Sequence, residues 1–257
     1  MPHRGPLFSI HHMKFAIIAA GEGSRLAQEG INVPKPLVRL GGEAMIDRLI
    51  RIFNENGAEE ICIIVNRLHP DTEAHVRALM QRGEGAPIRL TVKTTPSSMH
   101  SFYELSRDLG DAPFCLTTVD TIFREDEFRH YIDAFKASET DGLMAVTDFV
   151  DDEKPLYVAT AGDGDGEKAT SDPMRITCFL DEPGAGTRFI SGGIYGLGPK
   201  AFATVQRCMA GNVSRMRNFQ RALVADGLRL RAFDMGKILD IDHVGDIAKA
   251  EAYLSGK

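Results

Sequence analysis

Glycines and basic residues are concentrated in the stretch AIIAAGEGSRLAQEGINVPKPLVRLGG, which spans residues 16–42. Gly21 and Gly23 follow a short apolar run, so the backbone can turn tightly there and present amide groups to an anion without Cβ interference. Arg25 and Lys35 add two cations to the same loop, and the prolines on both sides of Lys35 limit its freedom. Two cations beside exposed amides suit a ligand with several negative charges, such as a nucleoside triphosphate.

Two other glycine-rich phosphate-binding patterns fit this loop poorly. A dinucleotide-binding turn needs a third glycine near position 26, where Leu26 stands, and an acidic ribose ligand about 20 residues later. Asp47 matches that ligand only weakly because it lies inside a predicted helix. No Gly-Lys-Ser or Gly-Lys-Thr follows the glycines, which argues against a P-loop. A dehydrogenase therefore stays only as an outside alternative.

Carboxylates stand at two points where a cation can be bound. Asp120 ends the apolar segment FCLTTVD, at the predicted carboxyl end of a central strand, where open α/β sheets bind their ligands. Asp240 and Asp242 lie in the extended segment KILDID, and residues i and i+2 of an extended chain share a face. A structural alternative is that these aspartates only cap the turn or helix that follows.

The combined pattern GEGSRL…VPKPLVRLGGEAMI resembles the signature of nucleotidyltransferases that activate sugar phosphates, including the MobA-like NTP transferases. The resemblance implies a GT-A-like fold in which Arg25 and Lys35 are the catalytic cations that neutralise the NTP phosphates. It implies transfer of a nucleoside monophosphate from an NTP to a sugar 1-phosphate or a similar phosphorylated acceptor, with release of pyrophosphate. The nucleotide-binding residues that it predicts are Ala20, Gly21, Glu22, Gly23, Ser24, Arg25, Lys35, Ser97 and Ser98. The last two lie in the base-recognition segment KTTPSSMHSFYEL, which leaves the base open.

The resemblance also implies Mg²⁺ as the cofactor, held by Asp120 and by a second aspartate near the C-terminus. The segment KILDIDHVGDIAKAE is similar to the family's DxxTPEDLxxAE-type ending. His243 and Val244 stand where threonine and proline are usual, so the second metal ligand is either Asp240 or Asp242. We take Asp240 as the first choice.

Two further segments are expected to contact the acceptor. RFISGGIYGLGPKAF is similar to the family's GGIY strand, which implies that Gly192 and Gly193 lie against the acceptor, although a β-bulge or a tight bend explains this pair equally well. FLDEPG stands where related enzymes have Glu-Lys-Pro. The lysine is missing here, but Glu182 can still accept hydrogen bonds from hydroxyl groups.

Short apolar strands alternate with amphipathic helices up to about residue 150, which predicts an α/β fold with a mainly parallel, Rossmann-like sheet and helices on both faces. β-like segments with turn-rich stretches between them follow, and they predict antiparallel additions to the sheet in the second half. We expect a disordered leader over residues 1–13 and one nucleotidyltransferase domain over residues 14–257. Residues 14–150 form its NTP-binding half, and residues 151–257 supply the acceptor site and the C-terminal aspartate.

Composition narrows the range of partners. The 257 residues carry a formal net charge of −6, which argues against nucleic acid or an anionic membrane as the main partner. No apolar stretch approaches the roughly 20 residues that span a bilayer, and the four cysteines are scattered, as expected of buried thiols in the cytoplasm. The oligomeric state stays open, a homo-oligomer included. Two other functions also stay open: a GT-A-like glycosyltransferase that uses a nucleotide sugar, and a non-catalytic nucleotide sensor.

Overall fold

The structure is a computed structural model, and it describes residues 13–151, 153–163 and 171–256. The predicted leader lies outside the described residues except for Met13, which is buried as the first residue of strand β1 (Met13–Ala19). The strand therefore begins one residue earlier than the predicted boundary. Most of the turn-rich segment AGDGDGEKATSD also lies outside the described residues.

Strands and helices alternate along the first part of the chain. After β1 they are α1 (Ser24–Gln28), β2 (Arg39–Leu40), β3 (Glu43–Ala44), α2 (Met45–Glu55), β4 (Ala58–Val65), α3 (Pro70–Arg82), β5 (Ile88–Val92), α4 (Ser98–Ser106), β6 (Phe114–Thr118), β7 (Thr121–Ile122), α5 (Glu125–Ala137) and β8 (Gly142–Thr147). A single turn of 3-10 helix over Lys35–Leu37 follows α1.

The second part of the chain is richer in strands. Its elements are β9 (Tyr157–Thr160), β10 (Ile176–Leu180), β11 (Phe189–Leu197), α6 (Lys200–Ala210), α7 (Met216–Ala225), β12 (Leu230–Asp234), β13 (Leu239–Asp240) and α8 (Val244–Leu254). Among the described residues, no helix has both the length and the apolar character that a bilayer crossing requires.

One nine-stranded sheet takes strands from both parts of the chain. β1 pairs in parallel with β4 and β6, β4 pairs in parallel with β5, and β12 pairs in parallel with β8. β11 runs antiparallel to β6, β8 and β9, and β10 runs antiparallel to β9. The predicted fold class is confirmed: a mainly parallel α/β sheet with antiparallel strands added in the second half.

β1 is apolar from Phe15 to Ala19 because both of its faces are covered there. Phe15 and Ile17 pack into a core that includes residues of α2 and α5, and the rings of Phe15 and Phe53 stack with centroids 4.5 Å apart. Ala16 and Ile18 face the other side of the sheet, in a core that includes residues of α4, α6 and α7. The alternation of side chains along a strand divides the apolar run between these two cores.

The order of the strands creates a crevice beside β1. The chain runs from β1 to β4 and β5 on one side, and β6 then pairs with β1 on the other side. A reversal of this kind leaves a gap between the loops at the carboxyl ends of the two central strands, which is where open α/β sheets bind ligands. The glycine loop follows β1 and Asp120 follows β6, so the sheet brings these two segments to the same edge.

A short strand pair brings the C-terminal aspartates to that edge. β13 pairs antiparallel with β7, which places Asp240 opposite Thr121. The backbone N–H of Ile241 donates to the carbonyl oxygen of Asp120 at 3.2 Å. Residues more than 100 positions apart in sequence are thereby fixed side by side.

Candidate active site

A cleft of about 650 Å³ opens at the crevice between β1 and β6. We call it the first cleft; its walls come from the loops after β1 and β6, the segment before α4, strand β11, the start of α7 and the C-terminal aspartates. Sites for small molecules typically enclose roughly 300 to 1,000 Å³. The first cleft is therefore large enough for a nucleotide.

The glycine loop turns at Gly23, whose φ is +61°. Residues with a Cβ rarely adopt this left-handed conformation. A Cβ at Gly23 would lie 3.1 Å from the Cβ of Lys35, so the missing side chain also lets the lysine segment approach the loop. A Cβ at Gly21 would meet nothing within 4 Å, and its backbone lines the first cleft. The two glycines thus have different purposes: Gly23 shapes the loop and Gly21 leaves its backbone open to the cleft.

Lys35 joins the two acidic segments. Its Nζ donates to a carboxylate oxygen of Asp120 at 2.5 Å and to one of Asp242 at 2.8 Å. The lysine side chain is only 10% exposed. Burial alone would lower the pKa of Lys35, but the charges of Asp120 and Asp242 outweigh it and hold that pKa above its ordinary value. The ammonium group is therefore charged, buried and placed between two carboxylates.

Asp120 experiences the same opposing effects. Its burial raises its pKa, while the charge and the hydrogen bond of Lys35 lower it, and the net pKa lies below the ordinary value. Removal of Lys35 would leave the charge of Asp120 without this compensation in a half-buried site. The pair is thus stable only as long as a cation stands near Asp120.

Arg25 makes a looser contact with the same acidic group. Its guanidinium donates to Asp242 at 3.1 Å, with about half of each side chain exposed, and Glu153 lies 4.0 Å away. Exposed ion pairs of this kind contribute little free energy, so Arg25 can exchange Asp242 for a phosphate at low cost.

A second cleft of about 360 Å³ adjoins the first. Five residues line both clefts: Lys154, Ser191, Arg217, Asp240 and Asp242. Arg25 and His243 line the second cleft only. The carboxylates therefore stand at the junction of two adjoining spaces, an arrangement that can hold two reactants next to each other.

Glu29 and His243 form a second contact between α1 and the C-terminal segment. The Glu29 carboxylate lies 2.6 Å from Nδ1 of His243 through one oxygen and accepts the backbone N–H of Val244 at 2.7 Å through the other. The hydrogen bond raises the pKa of His243 and lowers the pKa of Glu29. Because Arg25 and Glu29 are one helical turn apart, α1 contacts the segment 242–244 at two points.

The carboxylates fit a divalent cation of the hard, oxygen-binding type. Oxygens of Asp120 and Asp242 already share one positive charge, the Nζ of Lys35, so both face a point where a cation is stabilised. Oxygen ligands of this kind suit Mg²⁺, which is usually bound by one or two carboxylates together with substrate phosphates. In the part of the chain that the structure describes, no group of three or more His, Cys, Asp or Glu side chains is arranged to hold a metal ion. Further ligands would have to come from substrate and water.

Comparison with known proteins decides the family. The model of the MobA-like NTP transferase domain matches residues 15–170, which is more than half of the chain. The chain belongs to the MobA-like NTP transferase family. The glycine loop, Lys35 and Asp120 all lie inside the matched region.

Curated relatives of this family member include two enzymes of the same name. The mannose-1-phosphate guanyltransferase of Saccharomyces cerevisiae is 28% identical over 199 residues, which are 76% of this chain and 52% of the yeast protein. That of Neurospora crassa is 27% identical over 240 residues, which are 91% of this chain and 62% of the other protein. The chain thus spans about half to three fifths of the length of these relatives.

Solved structures share the fold of this MobA-like chain. The inositol-1-phosphate CTP transferase of T. maritima superimposes with a TM-score of 0.72 at 18% identity, over 96% of this chain and 99% of that one. A UTP-bound UGPase from Acinetobacter baumannii has a TM-score of 0.74 at 15% identity, over 94% and 92% of the two chains. At such identities the likeness establishes the fold only.

The structure distributes the predicted nucleotide-binding residues unevenly. Those that line the first cleft are Ala20, Gly21, Glu22, Gly23, Lys35, Ser97 and Ser98. Arg25 reaches the second cleft instead, and Ser24 is exposed on α1 and lines neither. Ser24 is the first residue of α1, directly after the turn at Gly23.

Ser97 is already engaged with protein groups. Its hydroxyl lies 2.9 Å from Nδ1 of His100 and accepts the backbone N–H of Arg215 at 3.2 Å. The segment that was expected to recognise the base is thus tied to the start of α7. Ser97 has little hydrogen-bonding capacity left for a base.

Gly192 and Gly193 lie in an irregular part of β11 and line the two clefts, while their contact with an acceptor stays a prediction. The pairing of β11 with β8 is irregular between Ser191 and Tyr195, as expected of a bulge, and Gly193 has a φ of +73°. A Cβ at Gly192 would lie 2.4 Å from a side-chain atom of Ile238. Gly193 also lines the first cleft and Gly192 the second. The bulge therefore brings this backbone to the junction of the two clefts.

Glu182 is the predicted acceptor residue that the structure moves away from the site. It is exposed in the turn after β10 and lines neither cleft. Its neighbour Asp181 instead pairs with Arg217 at 2.9 Å, a residue that lines both clefts.

Sequence reasoning missed the basic residues that the second half contributes. Lys154, Arg215 and Arg217 line the first cleft, and Arg215 has the rare positive φ of +71° for a residue with a side chain. The segment SRMRNF showed two arginines at the start of a helix but gave no spacing that tied them to the glycine loop. Only the fold brings α7 next to Ser97.

Proposed function

We propose that this chain is a Mg²⁺-dependent nucleotidyltransferase that transfers a nucleoside monophosphate from an NTP to a sugar 1-phosphate or a similar phosphorylated acceptor and releases pyrophosphate. The observation that carries the proposal is the position of Lys35. Its charged side chain lies between Asp120 and Asp242, beside the open backbone of the glycine loop. Cations for a polyphosphate and carboxylates for a metal thus stand in one cleft.

The first cleft is the proposed NTP site. Lys35, Arg25 and the amides of the glycine loop would stabilise the phosphate charges. A phosphate can replace Asp242 as the partner of Arg25 at little cost in free energy, because that ion pair is exposed. In the ligand-free protein these cations neutralise the carboxylates, and in the complex we expect them to neutralise phosphates. The carboxylates then need a new cation.

Asp120 and Asp242 are the proposed holders of Mg²⁺, with Asp240 as the alternative to Asp242. We now prefer Asp242, and the support for this choice is that its carboxylate shares the Lys35 ammonium group with Asp120. When bound, Mg²⁺ supplies charge neutralisation at phosphate oxygens.

The chemical step needs no general base from the protein. The acceptor phosphate has a second pKa of about 6, so its oxygen is already anionic near neutral pH. That oxygen attacks the α-phosphorus in line, a new P–O bond forms, and the bond from the α-phosphorus to the bridging oxygen of pyrophosphate breaks. Lys35 and Arg25 stabilise the charge that develops on the phosphates, and the adjoining clefts hold the reactants in line.

The names of similar proteins suggest which substrates to test first. GTP with mannose 1-phosphate comes from the curated relatives, CTP with inositol 1-phosphate and UTP from the solved structures. Because the chain spans only part of those relatives, each pair is a starting point rather than an assignment.

The four cysteines are all unpaired, which supports a place in the cytoplasm.

The test is a screen of the four common NTPs against mannose 1-phosphate, glucose 1-phosphate, inositol 1-phosphate and small phospho-alcohols, with pyrophosphate as the readout. The proposal expects acceptor-dependent pyrophosphate release that Lys35→Ala reduces by about a hundredfold. The control is Arg82→Ala, an exposed basic residue at the end of α3 that lines neither cleft. Release of a nucleoside diphosphate from a nucleotide sugar would instead indicate a glycosyltransferase. NTP binding without turnover across the panel would indicate a sensor.

A further inference from the structure

We propose that His243 is a specificity-determining residue whose Nε2 atom hydrogen-bonds a hydroxyl group of the acceptor in the second cleft. The inference rests on the proposed function, and it names one recognition contact within it. His243 was noticed in the sequence only as a departure from the usual threonine of the family's ending. The structure gives it a place and an orientation.

The ring of His243 is held by its other nitrogen. Nδ1 lies 2.6 Å from one oxygen of Glu29, and the second oxygen of Glu29 accepts the N–H of Val244 at 2.7 Å. A carboxylate that accepts on both oxygens fixes both the ring plane and the position of its hydrogen on Nδ1. Nε2 is left as the atom with free hydrogen-bonding capacity.

Among the described residues, Nε2 has no hydrogen-bond partner, and this atom is buried although 41% of the side chain is exposed. The Glu153 carboxylate lies 3.7 Å from Nε2, which is beyond hydrogen-bond distance. The large majority of buried side-chain polar atoms in proteins have a hydrogen-bond partner, so one without a partner needs an explanation. Two other side-chain atoms share this state in the described residues, on Arg48 and Thr72, and neither residue lines a cleft.

A ligand in the second cleft can supply the missing partner. His243 lines this cleft together with Arg25, and Asp240 and Asp242 connect it to the first cleft. An acceptor whose phosphate reaches the junction of the clefts therefore leaves the rest of its body beside His243. Glu153, with 68% of its side chain exposed, is free to move aside.

A hydroxyl is the group that suits Nε2 in either protonation state of the ring. The neutral ring accepts a hydrogen bond at Nε2 and the charged ring donates one, and a hydroxyl both donates and accepts. A polyhydroxylated acceptor such as a sugar phosphate has such groups, whereas a short phospho-alcohol has few.

Two substitutions separate this contact from the contact to Glu29. The amide of asparagine reaches about as far as Nδ1, so His243→Asn keeps a donor for Glu29 and loses the group at Nε2. The amide of glutamine reaches about as far as Nε2, so His243→Gln does the opposite. The matched control is His130→Asn, on the exposed face of α5, which lines neither cleft.

The experiment measures KM for both substrates, with the best acceptor among mannose, glucose and inositol 1-phosphate as the probe. We expect His243→Asn to raise the acceptor KM by about five- to tenfold, the loss of one hydrogen bond, with the NTP KM within about twofold of wild type. His243→Gln should stay closer to wild type. Wild-type behaviour of His243→Asn combined with loss in His243→Gln would overturn the inference, because the residue would then act only through Glu29.

A spectroscopic measurement on the wild-type protein gives an independent readout. In protein labelled with ¹⁵N at histidine, addition of the same probe should shift the Nε2 resonance of His243 more than its Nδ1 resonance. An unchanged Nε2 resonance at saturating probe would overturn the contact even where turnover is normal. Absence of turnover by wild type with every acceptor would instead contradict the proposed function, so the two failures are distinguishable.

Discussion

Lys35 and Asp120 are 85 positions apart in the chain, and the structure places the ammonium nitrogen of one 2.5 Å from a carboxylate oxygen of the other. Asp242 completes the contact from a third segment of the chain, at 2.8 Å. Lys35 therefore links the glycine loop to both proposed metal-binding segments. Its substitution tests stability and function separately.

Replacement of Lys35 by methionine should reverse the pH dependence of the contribution that Asp120 makes to the free energy of unfolding. In the wild type the pKa of Asp120 is lowered, so its stabilising contribution is present above the ordinary aspartate pKa of about 4 and is lost as the pH falls below it. Without Lys35, burial and the like charge of Asp242 raise that pKa, so stability is lost as the pH rises. At pH 7 we expect the free energy of unfolding of the variant to be about 1 to 3 kcal/mol below that of the wild type. At pH 4 this difference should be clearly smaller. Urea unfolding at the two pH values measures this, and an equal loss at both would contradict the ion-pair account.

Replacement of Gly23 by alanine should affect both the fold and the site. Its φ of +61° is strained for alanine, and the new Cβ would press on Lys35 from 3.1 Å. We expect a loss of about 1 kcal/mol in the free energy of unfolding and about a tenfold loss of turnover. Gly41→Ala is the matched control, because Gly41 has a φ of +58° and open space around it. Equal turnover by the two variants would show that the close approach to Lys35 is unimportant.

The second metal ligand can be decided by a pair of substitutions. Asp242→Asn should raise the Mg²⁺ concentration for half-maximal turnover more than Asp240→Asn does, because Asp242 is the carboxylate that shares a cation with Asp120. Asp133→Asn, on an exposed face of α5, serves as the control. A larger shift in Asp240→Asn would return the assignment to Asp240, and no shift in either would remove the C-terminal segment from the metal site.

Arg25→Ala should slow turnover by about a hundredfold with little loss of stability. The loss of stability is small because the ion pair with Asp242 is half exposed. The loss of turnover is large because Arg25 would stabilise the phosphate charge that develops in the transition state. Steady-state kinetics measures the turnover of the variant, and thermal unfolding of the same preparation measures its stability. Near wild-type pyrophosphate release by the folded variant would exclude Arg25 from catalysis.

The sequence was sufficient for the parts of the fold that rest on local patterns. β1 could be predicted because an uninterrupted apolar run ends at a glycine, and the antiparallel strands could be predicted from alternation between turns. α1 could not, because its five residues follow a glycine loop that carries no helical periodicity. The short pair of β7 and β13 could not either, since two-residue strands leave no pattern in the sequence.

The site shows the same division. Lys35 could be singled out because it stands in the motif VPKPL, and Asp120 could be singled out because it follows an apolar strand. Glu182 lines neither cleft in the structure, because a motif position does not determine where the turn after β10 lies relative to the clefts, and its contact with the acceptor stays a prediction. Arg215 was missed because its approach to Ser97 depends on how α7 packs, which is a property of the whole fold.

The most direct test is a crystal structure of the protein with Mg²⁺ and a non-hydrolysable NTP analogue. The account predicts the triphosphate against the glycine loop, with Lys35 Nζ moved from the carboxylates to a phosphate oxygen and the metal bound to Asp120. A nucleotide bound elsewhere, or a Lys35 that stays between Asp120 and Asp242 while the triphosphate is bound, would contradict it.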